Sequence, residues 1–296
     1  MNRRQFVASL SALPSAAGQT AQSARLPIKK ALVFNMLPSK LSILERFEMA
    51  KRAGFEQVEC HTEPNMERAA EFKAAAERSG LPIHSVMNSA HWEYPLSSAD
   101  PQVVAKSIDG VKTSLQNAKL WGADTVLVVP AVVNPQTRYQ DAWTRSQAAI
   151  RQLIPIAQEL GVTIAIEEVW NKFLLSPMEF ARYVDEFNSP WVKAYFDVGN
   201  VVLYGFPQDW IRTLGKRIVK LHFKDFSFRP DPVTKKRVAE FVNLGDGDID
   251  WQEIHRSLVE IGFTGTASVE LASGDEPYLA DVVKRFDKLL ARGTSR

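Results

Sequence analysis

From residue 30 onward, short β-rich runs alternate with longer stretches of helical periodicity, and the alternation occurs eight times. The runs are "ALVFNML", "QVECHT", "IHSVMN", "TVLVVPA", "TIAIEEV", "KAYFDVG", "IVKLHFKD" and "ASVELA". Helical periodicity covers 42–53, 67–79, 101–121, 139–160, 176–187, 207–214, 250–262 and 277–292. Asp100 and Ser176 each precede a proline suited to a first helical position, and Asp250 offers a further cap. Glycines 54, 80, 122, 161 and 262 sit just past helical stretches, where a left-handed residue ends a helix. Eight such units in 296 residues read as an α/β fold, a (β/α)8 TIM barrel. The competing doubly wound sheet often carries a Gly-rich phosphate turn after its first strand, and none stands there.

With 45% apolar and 24% charged residues, a chain of this length buries about 75% of its unfolded surface. A net charge of +2, with both signs interspersed, offers no basic stripe for nucleic acid. Cys60 is the single cysteine, so the fold rests on its core and on no internal disulfide. Residues 1–24 stand apart: Arg3 and Arg4 precede a small-residue, weakly apolar run that resembles a twin-arginine export signal. The expectation is export to a periplasm of a single barrel domain spanning 25–296, with no membrane span. A homo-oligomer is compatible with the sequence.

Strand side chains alternate, so each run has a readable phase. In the fifth run, Ile164, Ile166 and Glu168 share one face, and Thr163, Ala165 and Glu167 the other. The isoleucines belong against the helices, which puts Glu167, and not Glu168, at the C-terminal mouth of the barrel interior. The same parity turns Asp197, His222 and Glu270 inward at the ends of the sixth, seventh and eighth runs. That rim is where active sites of such barrels sit. Three carboxylates and an imidazole there repel one another unless a positive charge lies between them. One divalent ion resolves the conflict. Three oxygens and a nitrogen suit Mn2+ first, with Mg2+, Co2+ or Zn2+ as alternatives. Pairing with Lys193, Lys220 or Lys224 explains any one of the four better than it explains all four in phase.

The segments "IAIEEVWN", "YFDVGN", "LHFKD", "ASVEL" and "NLGDGDIDW" resemble the sugar phosphate isomerase/epimerase family of xylose isomerase-like barrels, across residues 30–292. The resemblance implies that Glu167, Asp197, His222 and Glu270 bind one metal and that Glu167 and Glu270 also move protons. The implied chemistry is proton removal beside a sugar carbonyl through an enediolate, giving an epimer or an aldose–ketose isomer. A lyase or dehydratase acting on a keto-sugar or oxidised glycoside uses the same residues, and a non-catalytic sugar-binding barrel is a third reading. Two positions depart from ketose 3-epimerases: Asn200 replaces a histidine three residues after the metal aspartate, and Phe173 replaces a glutamate six residues after Glu167. Trp170 as an apolar wall, Asn200 and Lys224 as hydrogen-bonding groups, and His91 in "NSAHWEY" are the candidate substrate contacts. His61 and His84 are expected in the core or behind the ligands. With export and no phosphate cradle in view, the expected partner is an unphosphorylated sugar or keto-sugar.

Overall fold

The eight β-rich runs close on themselves. In the computed structural model, which describes residues 25–230, 233–235 and 239–291, all eight strands pair in parallel around one barrel. They are β1 (Lys29–Val33), β2 (Gln57–His61), β3 (Ile83–Met87), β4 (Thr125–Val128), β5 (Thr163–Glu167), β6 (Val192–Asp197), β7 (Ile218–Phe223) and β10 (Thr266–Val269). Closure is made by β1 against β10, with Ala31 opposite Ser268. The open-sheet alternative is thereby removed. The expected export signal at 1–24 lies outside the described residues.

Helices α1 (Ile43–Ala53), α2 (Met66–Ser79), α3 (Pro101–Trp121), α4 (Tyr139–Leu160), α5 (Pro177–Asp185), α6 (Pro207–Leu214), α7 (Trp251–Glu260) and α8 (Glu276–Leu290) follow the periodic stretches within a few residues. Their ends are specified locally. Ser42 and Glu45 form a reciprocal capping box at α1, and Asp100, Ser176 and Asp250 accept backbone N–H groups at α3, α5 and α7. Gly54 closes α1 at φ 104°, where a Cβ would lie 3.2 Å from Val283 of α8. Among the described residues, no helix is long and apolar enough to cross a membrane.

The phase read from β5 holds at the rim, but Val219 of β7, expected to face outward by the same parity, packs against the interior plug, where the β6–β7 register shifts between Ala194 and Tyr195. Ile164 and Ile166 join the layer between strands and helices, whereas Leu127, Val129, Ala165 and Tyr195 form a separate apolar plug inside the barrel. Lys220 lies at the opposite end of the barrel from the ligand rim and pairs with Asp124 at 2.9 Å, so it takes no part in the carboxylate cluster. One element escaped the sequence reading: a hairpin of β8 (Asp225–Ser227) and β9 (Glu240–Val242) rises from the end of β7.

Candidate active site

Each of the last four barrel strands delivers one group to the mouth, within one residue of its end. Ligand atoms of Glu167, Asp197, His222 and Glu270 all lie within 4.8 Å of one another. His222 Nδ1 faces all three carboxylates, at 2.8 Å from Glu167 Oε1, 3.5 Å from Glu270 Oε2 and 3.8 Å from Asp197 Oδ2. Asp197 is buried, and its Oδ1 is locked by the N–H groups of Gly199 (2.7 Å) and Asn200 (3.0 Å). Its Oδ2 has Lys224 Nζ at 2.9 Å but no donor with hydrogen-bonding geometry. Lys224 Nζ also lies 2.7 Å from Glu270 Oε2.

Sequence reasoning missed the partner behind the imidazole. Glu59, fully buried on β2, accepts from His222 Nε2 at 2.9 Å and from the Tyr195 hydroxyl at 2.6 Å. Four carboxylates thus surround two cationic groups, Lys224 and His222. The excess of negative charge in a buried place, the unsatisfied Asp197 Oδ2 and the inward-facing His222 Nδ1 all fit a divalent cation, held by Glu167, Asp197, His222 and Glu270. A carboxylate behind a ligating imidazole is the usual device for aiming the ring.

The charges respond accordingly. Burial opposes the ionisation of Glu59, but the adjacent His222 outweighs it and holds the carboxyl at about 2. Burial likewise opposes charge on His222, and Glu59 and Glu167 lift it well above the ordinary imidazole range. Glu167 is raised to about 7, chiefly by burial, against the pull of His222. Glu270 goes the other way: Lys224 and His222 overcome its burial and keep its carboxyl low. The two carboxyls of this mouth are thus shifted in opposite directions, Glu167 upward by burial and Glu270 downward by Lys224 and His222. Glu168, the second glutamate of "IEEV", is buried on the outer face, where desolvation and the charges of Glu167 and Asp197 push its carboxyl well above the ordinary carboxylate range. Its Oε1 accepts the Asp197 N–H at 2.9 Å.

The description "Xylose isomerase-like TIM barrel" matches residues 47–289 of the chain. The chain belongs to the xylose isomerase-like TIM barrel family. It is 26% identical over 268 residues to the L-ribulose-5-phosphate 3-epimerase UlaE of Shigella flexneri, across 86% of this chain and 92% of that one. It superposes on an L-ribulose 3-epimerase with a TM-score of 0.72 at 20% identity, covering 89% of this chain and 94% of the other. A 3-keto-D-glucoside 4-epimerase, YcjR, of E. coli gives 0.72 at 14% identity, over 88% and 99% of the two chains. At those identities the superpositions show the family's fold. The relatives themselves are sugar epimerases, which supports an isomerase-class enzyme.

Of the candidate substrate contacts, Lys224 and Trp170 are at the mouth. Trp170 is half exposed, stacks on Phe241 of β9 with centroids 5.2 Å apart, and donates its indole N–H to the Asn200 carbonyl. Asn200 is buried and spends its side-chain amide on the Glu168 carbonyl at 3.0 Å. His91 is buried as well, edge-on to Trp92, with Nδ1 towards the Val129 N–H at 3.5 Å. Both thus support the loops under the mouth. Phe173 is fully buried among Tyr139, Trp143 and Tyr183, so the position departing from ketose 3-epimerases serves packing. His84 bonds Ser268 inside the barrel, as expected of a residue behind the site, whereas His61, the last residue of β2, is half-buried at the mouth beside Asn35 at 3.3 Å.

Proposed function

We propose that this chain is a divalent-metal-dependent sugar isomerase or epimerase that removes a proton from the carbon beside a substrate carbonyl. The observation that carries this reading is the convergence of two glutamates with Asp197 and His222 on one centre. A bound divalent ion, Mn2+ in this proposal, supplies Lewis acidity for negative charge building on the substrate's oxygens, worth several kcal/mol. The protein's residues do the rest. Glu270, kept ionised by Lys224 at 2.7 Å, accepts the carbon-bound proton. Glu167 returns one, from the other side for epimerisation or at the neighbouring carbon for isomerisation. Each such group contributes roughly a hundred- to ten-thousand-fold. Lys224 keeps Glu270 in place and offers N–H groups to substrate hydroxyls. Glu59 holds the His222 ring, and Trp170 with Phe241 walls the sugar.

Elemental analysis of purified protein, followed by incubation with unphosphorylated ketoses in heavy water, tests the reading. Bound Mn2+ and deuterium in the recovered sugar are the expected results. A leaving group released without a deuterated sugar would replace isomerisation by elimination, and absence of both would remove catalysis at this centre.

A further inference from the structure

β3 is out of step with β2 by one residue. Partners run Val58 with Ile83 and then Glu59 with Ser85, so His84 is the extra residue of a β-bulge. Strict alternation would set Ile83 and Val86 on opposite faces, yet both lie in the outer layer against the helices. The bulge turns His84 into the barrel, where Nε2 lies 2.9 Å from Ser268 Oγ. Ser268 Oγ is in turn 3.4 Å from the Tyr195 hydroxyl. That hydroxyl lies 2.6 Å from Glu59 Oε2, the same oxygen that takes the His222 Nε2–H at 2.9 Å. All five side chains are buried.

These contacts have one consistent direction. A carboxylate only accepts, so the single O–H of Tyr195 is spent on Glu59. Towards Ser268 the phenol oxygen can then only accept, which commits the Ser268 proton to Tyr195. Ser268 Oγ is left to accept from His84, whose proton must sit on Nε2. The same tautomer leaves His84 Nδ1 bare. That nitrogen is buried with no hydrogen-bond partner among the described residues, so no N–H is stranded.

Resting on the reading that Glu167, Asp197, His222 and Glu270 hold a divalent ion, we infer that His84, Ser268 and Tyr195 form a one-way chain of donors ending on Glu59. Tyr195 is thereby a positioning residue of the metal centre, acting through Glu59 on His222. A carboxylate held by one donor is free to swing, whereas donors from β6 and β7 on one oxygen fix it and, with it, the direction of the imidazole. Donors in series polarise one another, so the links through Ser268 and His84 tighten the phenol's hold.

Chelator competition for Mn2+ with the metal-free protein, and nitrogen NMR of the same protein labelled at histidine, test the inference. Tyr195→Phe removes the hydroxyl and keeps the ring, which packs 4.6 Å from the His222 ring between centroids. Outer partners of ligating imidazoles contribute roughly ten- to a hundredfold to metal affinity, and Tyr195 stands one step further out, so about a three- to tenfold loss is expected. In a Glu59→Leu background the same substitution should change affinity by less than about twofold, because the residue through which it acts is gone. His84 should show a neutral ring protonated at Nε2, its signals assigned by their loss in His84→Gln. If Tyr195→Phe does not fold, Ser268→Ala takes its place, with about a two- to threefold loss that again vanishes in Glu59→Leu. Unchanged Mn2+ affinity in the variant, an equal loss with and without Glu59, or a His84 proton on Nδ1 would overturn the inference. The two readings fail separately. A protein that binds no Mn2+ removes the metal, and with it the role of Tyr195 at the centre; Mn2+ bound equally well by Tyr195→Phe keeps the metal and removes Tyr195 alone.

Discussion

Glu59 reaches His222 from the second strand, across the barrel interior, and so decides which nitrogen of the ring faces the ligand cluster. With Nε2–H donated to Glu59, Nδ1 is the atom left for a metal. Glu59→Gln keeps an acceptor oxygen but removes the charge that favours this orientation, and metal affinity is expected to fall about ten- to a hundredfold by chelator competition. Glu270→Gln should divide the two roles of its residue. Some metal stays bound on the other three ligands, while deuterium exchange drops roughly a hundred- to ten-thousand-fold. Exchange at the normal rate in that variant would take Glu270 out of the mechanism. The convergence of Glu167, Asp197, His222 and Glu270 was readable in the sequence because strand parity is binary: once Ile164 and Ile166 are placed against helices, Glu167 has one direction left. Glu59 was open to the same reasoning, since Val58 and Cys60 are the buried outward pair on β2. A single carboxylate in the strand "QVECHT" carries no signal until its partner across the barrel is known.

The β8–β9 hairpin brings Phe241 over Trp170, and its anchor is Asp225 at the base of the hairpin. Asp225 Oδ2 accepts the N–H groups of Gly245 (2.8 Å) and Gly247 (3.2 Å) and the indole N–H of Trp251 (2.9 Å). One buried carboxylate thereby gathers the "NLGDGDIDW" segment under the hairpin. Gly247 is required by this approach, because a Cβ there would lie 2.0 Å from Asp225 Oδ1. Asp225→Ala removes the acceptor of these three donors and of the Phe226 N–H, which bonds Oδ1 at 2.9 Å, at a cost of about 3 kcal/mol measured by urea unfolding. The amides of Gly245 and Gly247 should then exchange with solvent faster than those of β7; unchanged protection would show that the segment is held by other contacts. Gly247→Ala is expected to act in the same direction. The hairpin itself was not legible. Its strands are three residues each, too short for a period of two to register, and β8 follows β7 after a single residue, so "IVKLHFKD" reads as one run.

At the scale of the whole barrel, stability depends on pH through histidines that fold into places with no room for charge. Burial depresses His91 to about 4 and His84 to about 3 from an ordinary value of 6.5. In the unfolded chain both rings take up protons near 6.5, while the folded protein refuses them until the pH is far lower. Protonation therefore favours the unfolded state. The contribution of each ring is complete above pH 6.5 and is lost as the pH falls, through about 4 for His91 and about 3 for His84. At about 1.4 kcal/mol per pKa unit, His91 accounts for a loss of up to about 3 kcal/mol on the acid side. Other groups titrate over the same range, Glu59 with its carboxyl at about 2 among them, so the comparison is between the protein and its His91→Leu variant. Urea unfolding from pH 7 to pH 4.5 should give a shallower acid loss in the variant, by about 2 kcal/mol over that interval. A second measurement on the same variant separates support of the loops from contact with substrate. A residue enclosed beside Trp92 and Val129 changes the pH profile of stability and leaves KM where it was, whereas a substrate contact raises KM at every pH. Parallel stability curves together with a raised KM would return His91 to the substrate side of the mouth.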